Sequence, residues 1–395
     1  MATPGLRCSA LRTLRSAPRA HAAWFLGLAL AASGCGVPEV RAPPAPPPEV
    51  LAGARFDPYA ALVEALRSGQ PPLQAAAAET FLESDRPPPR AEVESLVDTA
   101  DPRVRTTIVA LLGAARRADL ASLFQRKFRD ADANVRLAAA FALAMAGDPS
   151  QVTMLRDGLA SPDVTQRRTA AWLLGLMGNP SAAGLLKVKL ADPDAVVVLR
   201  AAEALHRLGR SDGLQEVRTL TEHERHEVRY WAVRLLGRVG DTTDIPRLEK
   251  LCQSRFLDVR FAAIAAAAQR GDLKRIAFLL DMLDVSVSTL REQAATDKDL
   301  ADLLQQMSEA DVAAFARDMR VLAARELGET AYTPALDRLE KLLARGELPE
   351  RTAAACAIVR ILSTHTSWRS RILADRPPPL TPTEGPPAAA LPKQP

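Results

Sequence analysis

Aromatic residues make up only 4% of this 395-residue chain, although 48% of it is hydrophobic. Ala and Leu carry most of that apolar content, which suits helices packed closely through small side chains. Histidine is scarce at five residues and cysteine at four. The sequence has no Gly-rich phosphate loop, GxSxG elbow, Cys-x-x-Cys pair or HExxH helix, so the common nucleotide, hydrolase, dithiol and zinc-protease chemistries have no motif to stand on. Asp194, Glu203 and Glu292 are isolated carboxylates without a catalytic pattern around them. Acidic residues are absent from the first 34 positions, which hold Arg7, Arg12, Arg15 and Arg19. Taking those four from the 51 basic residues leaves 47 against 47 acidic ones, so the formal charge of +4 belongs to the N-terminus. A neutral remainder argues against nucleic acid as a partner.

The N-terminal stretch has the layout of an export signal. Its apolar run, Ala22 to Ala32, is too short to span the ~30 Å hydrocarbon core as a helix. The Ala32-Ser33-Gly34-Cys35 that follows resembles the lipobox of bacterial lipoproteins, although Ala32 stands where Leu is usual. That resemblance implies lipidation of Cys35, which becomes the mature N-terminus; the alternative is an ordinary cleaved signal with a chance Cys. Gly36 after the Cys favours, by the same resemblance, the outer membrane over inner-membrane retention. The Pro-rich stretch Gly36 to Val50 predicts a semi-rigid tether reaching roughly 45 Å. Of the other cysteines, Cys8 falls in the signal. Cys252 and Cys356 stand about three repeat units apart, too far for a disulfide in an array rising roughly 10 Å per unit.

What dominates the chain is a unit of 31 residues running from about Asp101 to Gly271. Val104, Val135, Gln166, Val197, Val228 and Val259 keep that spacing, as do the residues after them: Arg105, Arg136, Arg167, Val198, Arg229 and Arg260. Gly147, Gly178, Gly209, Gly240 and Gly271 close the units and predict left-handed helix ends. Each unit reads as two helices. The first carries the column Phe124, Leu155, Leu186, Val217, Leu248 and Leu279. The second begins at Asp101, Asp132, Asp163 or Asp194, each a candidate N-cap, and buries apolar positions at helical spacing after the Val. A period of this length marks a solenoid, in which units bury their apolar faces against one another. The pattern D-x-x-V-R-x-x-A-A-x-x-L-x-x-x-G, seen from Asp132 to Gly147, resembles HEAT repeats, in particular the short HEAT-like variety of phycobilisome lyases. The resemblance implies an all-α solenoid of stacked helical hairpins, a fold used chiefly as a binding scaffold.

The expected organisation is a signal over 1–34, the tether over 35–50, a degenerate capping repeat over 51–86 and regular units over 87–284. Register is then lost in an irregular, more polar insertion over 285–310. C-terminal units and a cap containing Trp368 are expected over 311–375, and a disordered Pro-rich tail over 376–395.

Three places invite a function. His223-Glu224-Arg225-His226-Glu227 resembles the iron-binding His-Glu pairs of deoxyhypusine hydroxylase, a HEAT-repeat enzyme. No other unit offers His-Glu at the place of His226 and Glu227, so a solvated turn is the plainer reading and no metal or cofactor is expected. The column Arg105, Arg136, Arg167, Arg229 and Arg260 predicts a structural ladder, each Arg pairing with a helix-start Asp between stacked units. The face opposite the apolar stripe, which lines the concave surface of HEAT-type stacks, reads Phe141, Met145, Trp172, Leu176, Arg200, Glu203, Arg207, Trp231, Arg234 and Arg238. Exposed aromatics interleaved with Arg predict a protein-binding surface. The expectation is a lipid-anchored, exported, non-catalytic scaffold that binds a cell-envelope protein. Its rivals are a lyase-like or metal-dependent enzyme around His226, and an envelope protein self-associating through its tail or open solenoid ends.

Overall fold

A computed structural model describes residues 57–84, 90–296 and 298–363. The signal, Cys35, the tether, the Trp368 cap and the Pro-rich tail lie outside the described residues. Among the described residues there are twenty α-helices and no strand. No helix there is long and apolar enough to cross a membrane.

The first hairpin is α1 (Pro58–Arg67) and α2 (Pro71–Glu83). Next come α3 (Arg90–Leu96) with α4 (Pro102–Ala114) and α5 (Ala121–Lys127) with α6 (Ala133–Met145). The central units are α7 (Val152–Ala160) with α8 (Val164–Met177), and α9 (Ala183–Val188) with α10 (Ala195–Arg207). They continue as α11 (Leu214–Leu220) with α12 (His226–Val239), and α13 (Ile245–Leu251) with α14 (Leu257–Gln269). After α15 (Ile276–Met282) the irregular stretch forms two short helices, α16 (Val287–Ala294) and α17 (Lys298–Gln305). The chain then resumes in α18 (Glu309–Leu327). Ser308 caps it by accepting from the Asp311 N–H. α19 (Leu336–Arg345) and α20 (Leu348–Ser363) complete the described chain.

The helix starts are set by the residues the pattern singled out. The side chains of Asp101, Asp132, Asp163 and Asp194 each accept a backbone N–H from the first turn, at 2.7–3.1 Å. This satisfies donors that have no partner within the helix. At the other end Gly147, Gly178, Gly209 and Gly271 have positive φ, as a left-handed cap requires. Gly240 departs from the expectation with φ −74°. Directly after it, Asp241 and Asp244 form a reciprocal capping box that needs an extended entry. The column from Phe124 to Leu279 is fully buried, as are Val104, Val135, Val197 and Val259. Gln166, the polar member of the Val column, is only half-buried.

The Arg column works differently from the expected ladder. Arg105, Arg136, Arg167 and Arg229 each place Nη1 between two backbone carbonyls of the turn preceding their own helix, at 2.6–3.0 Å. Arg260 reaches the same turn through Nε, 3.0 Å from the Ser254 carbonyl. The column thus ties each helix to its own hairpin. Two members also reach the next unit, Arg105 to Asp130 and Arg167 to Asp192. Those carboxylates stand two residues before the N-cap Asp, not at it. Where Ser161 and Ser254 occupy the equivalent place, the column has no carboxylate to offer.

A second period lies on top of the first. Gly113, Gly175 and Gly237 stand two units apart, and a Cβ on any of them would lie 2.6–2.9 Å from the Cα of Ala142, Ala204 and Ala266 respectively. Gly328 meets Ala357 in the same way at 2.8 Å. The long helices are therefore brought together in close pairs: α4 with α6, α8 with α10, α12 with α14, and α18 with α20. Only a residue without a side chain permits such an approach.

The array also closes on itself. α20 packs against both α1 and α2, so the last helix rests on the first hairpin. Arg360 pairs with Glu83 at 2.8 Å across this seam, and Arg351 pairs with Glu64. The Cys356 thiol sits in it, 3.8 Å from the Ala76 carbonyl. The inner helices α2, α4, α6, α8, α10, α12, α14, α18 and α20 form a ring, each in contact with the next. The two ends of the described array are thus occupied by each other. The expected capping repeat is one half of the closure.

Cys252 and Cys356 are both buried and free. Burial pushes the Cys252 thiol up to about 12 and raises Cys356 as well. Both should resist a thiol reagent in native protein. Peptide mass spectrometry after timed labelling should find Cys356 modified only when the seam opens. Fast labelling of Cys356 under native conditions would contradict a closed ring.

Candidate functional site

The centre of the ring is a cavity of about 400 Å³, walled by α2, α8, α10, α12 and α20. Arg200, Glu203 and Arg207 of α10 lie at helical spacings of three and four residues and so share one face. Glu203 binds Arg200 at 3.0 Å and Arg207 at 2.9 Å, and Arg238 of α12 reaches it at 3.2 Å. Burial alone would raise the Glu203 carboxyl. Arg207, Arg200 and Arg238 outweigh that effect and hold it well below the usual carboxylate range.

Behind this cluster α12 reaches across to α18. The Tyr230 hydroxyl donates to Glu326 at 2.8 Å, and Arg234 pairs with Glu329 at 2.5 Å and with Glu326 at 3.3 Å. Arg238 meets Glu329 at 3.1 Å and Arg360 approaches it at 3.7 Å. Burial raises the Glu329 carboxyl too, but Arg238, Arg234 and Arg360 hold it far down. Tyr230 is pushed well up, chiefly by burial, and remains a neutral donor. A continuous chain of ion pairs thus joins α10, α12, the end of α18, α20 and α2 through the middle of the protein.

The wall facing the open space is richer in cations. Arg168, Arg200, Arg207, Arg234, Arg238 and Arg360 line it, against Glu79, Glu83 and Glu203. Arg168 is engaged in a two-pronged pair with Asp194 at 2.6 and 2.9 Å. Arg200 and Arg207 have a weaker hold, since both share the single Glu203 with Arg238. Glu79 touches the solvent of the cavity but is crowded by protein, and its carboxyl is raised because that desolvation exceeds the pull of Arg200. Leu82, Leu176, Leu199, Trp172 and Trp231 supply the apolar part of the wall. Trp231 is 45% exposed and its ring carries the Arg234 guanidinium at 5.4 Å.

These placements correct the expected concave surface in part. Arg200, Glu203, Arg207, Trp172, Trp231 and Arg238 do come together around the cavity. Arg234 also lines it, but is only 8% exposed and is consumed by Glu326 and Glu329. Phe141 is fully buried, because Gly113 lets α4 approach α6 and the ring fills the seam between them. Leu176 is buried too, though it reaches the wall. Met145 lies half-buried against the core. Glu79, Glu83, Glu326, Glu329 and Arg360 were not foreseen. They sit in the degenerate first hairpin or beyond the register break, and only closure brings them to the centre.

The His-Glu turn lies apart from this site. The His226 ring stacks on Phe256 at 4.6 Å, with Nδ1 3.4 Å from Asp258 and Nε2 3.5 Å from Glu227. Burial raises the Asp258 carboxyl. Among the described residues no group of three or more His, Cys, Asp or Glu is arranged to hold a metal ion.

With the geometry in view, comparison with known proteins places the repeats. The HEAT-repeat family model matches residues 120–206, 183–256 and 220–297. No curated protein matches the chain by sequence. Among solved structures, the complex of CpcE and CpcF of phycocyanin lyase from Nostoc sp. PCC7120 is similar at 17% identity and TM-score 0.34, covering 68% of this chain and 94% of that one. The Escherichia coli protein YibA is similar at 16% identity and TM-score 0.34, with coverage of 69% and 92%. Human deoxyhypusine hydroxylase in complex with glycerol is similar at 18% identity and TM-score 0.29, with coverage of 73% and 99%. The described residues form an all-α solenoid, and HEAT repeats are found across residues 120–297.

Proposed function

We propose that this protein is a non-catalytic binding scaffold, held outside the cytoplasm by lipid on Cys35, that docks a protein partner at the mouth of its ring. The observation that supports this reading is Trp231. Among the described residues the large exposed hydrophobics are Leu185, Val188 and Trp231, and of these Trp231 alone lines the central cavity. An aromatic side chain stacked with Arg and left open beside a pocket has the composition of an interface hot spot. The lining offers guanidinium and carboxylate groups engaged with one another, and no nucleophile beside a base, which favours recognition over catalysis.

Crosslinked capture from membranes tests it. The full chain should retain a defined envelope protein, and Trp231→Ala with Arg200→Ala should lose it while circular dichroism stays unchanged. Equal capture by both proteins would remove the ring mouth from consideration. Cys35→Ser should move the protein from the membrane fraction to the soluble fraction; retention at the membrane would count against the lipid anchor. The rival enzyme reading predicts instead a bound metal or coloured ligand after purification.

A further inference from the structure

We infer that the group received by the central cavity is a carboxylate carried beside a flat apolar body, such as an acidic or chain-terminal residue of the partner next to an aromatic one. This rests on the reading of the ring mouth as a docking site and names the chemistry it selects. Arg200 and Arg207 share the one carboxylate of Glu203 with Arg238, which Glu329 holds as well. In these pairs Arg200 engages it through Nη1 and Arg207 through Nη2, one nitrogen each, and both residues line the cavity. An Arg fork matches a carboxylate in two parallel bonds, which are about twice as strong as neutral ones. A singly charged, planar acceptor suits the wall better than a dianion, because Glu203, Glu79 and Glu83 stand close by. Trp172, Trp231 and Leu199 form the apolar side of the same space. Its volume of about 400 Å³ lies in the range of sites that enclose a small ligand.

Isothermal titration of the full chain with three small probes tests the assignment: N-acetylphenylalanine, its uncharged amide N-acetylphenylalaninamide, and phenyl phosphate. N-acetylphenylalanine should bind in the millimolar range, and the amide about ten-fold more weakly, the loss of one charge-assisted contact. Arg200→Gln and Arg207→Gln should each weaken the acid by a similar factor, while Arg156→Gln, exposed on the outer helix α7, should change nothing. Added salt should weaken binding of the acid and leave that of the amide alone. Equal binding of acid and amide, no binding of either, or indifference to both inner substitutions would overturn the inference. Tighter binding of phenyl phosphate than of the acid would overturn the carboxylate assignment in favour of a phosphate. If the probes fail while partner capture still depends on Trp231, the docking reading survives without this one; if they bind and no partner is captured, the reverse holds.

Discussion

Replacement of Glu326 by Ala should destabilise the fold by about 3–5 kcal/mol, read as a fall in the urea midpoint. Glu326 is fully buried, accepts from Tyr230 and faces Arg234, which is itself 8% exposed. Removing the carboxylate leaves a guanidinium and a phenol in the protein interior with fewer partners. Arg234 keeps Glu329, but stripping one partner from a buried guanidinium costs more than the pair contributes. The double variant with Arg234→Leu should therefore recover part of the loss, and a thermodynamic cycle over the two sites should show a coupling well above 0.5 kcal/mol. Additive losses would mean that the two residues do not act together.

The same network makes stability depend on acid. Glu203, Glu329 and Glu83 are all held below the usual carboxylate range in the folded protein. Their contribution is therefore fully present above the unfolded value of about 4.3 and is lost as pH falls below it. Glu79 is raised and acts in the opposite sense, opposing folding as pH climbs past that same value. Three depressed groups against one raised predict a net loss of stability on acidification below about pH 4. A urea midpoint that is flat down to pH 3 would contradict the ion pairs at the centre.

The second large effect is expected at the close helix pairs. Gly175→Leu should cost about 3 kcal/mol or more. Even a Cβ there would stand 2.8 Å from the Cα and Cβ of Ala204, and a longer side chain forces α8 and α10 apart. Gly175→Ala should cost about 1–3 kcal/mol, despite the gain in helix propensity of about 1 kcal/mol. Ala204→Gly in the same protein should return part of it, since one of the two clashing atoms is then gone. Gly184 in α9 is the control: nothing lies within 4 Å of its Cβ position, so Ala there should be neutral or stabilising. If Gly175→Ala and Gly184→Ala behave alike, close approach is not what selects glycine at these places.

The repeat was legible because its cause is local. A Val that must be buried, an Asp that must cap and a Gly that must turn left-handed each show in the sequence at fixed spacing, and Gly240 failed only because a capping box follows it. The pairing of units was equally present, in Gly113, Gly175 and Gly237, but it lies at twice the period that first catches the eye. The centre was half legible. Trp172, Arg200, Glu203, Arg207, Trp231 and Arg238 follow from helical phase, whereas exposure does not: Phe141 shares the phase of Trp172 and Glu203 and is buried by a glycine on the neighbouring helix. Glu83, Glu329 and Arg360 had no signal at all, because their meeting depends on curvature summed over the whole array. A small change in rotation per unit would leave them far apart.

That Arg360 touches Glu83 across 277 residues of chain changes how the protein should fold. An open array can start anywhere and grow by neighbours, each step repaid by a local interface. Here the last interface joins the two most distant parts of the chain, and it forms only after every unit between them has taken its proper rotation. By the logarithmic dependence of closure on length, bringing those ends together costs only about 2 kcal/mol more than closing a single unit. Thermodynamically, then, the seam is inexpensive. Kinetically it comes last, and until it forms the arginines and glutamates of the interior stand in water with their distant partners missing. Truncation at either terminus would arrest the protein at that stage: it would leave an unlatched band with its charged lining exposed, rather than a shorter version of the same ring.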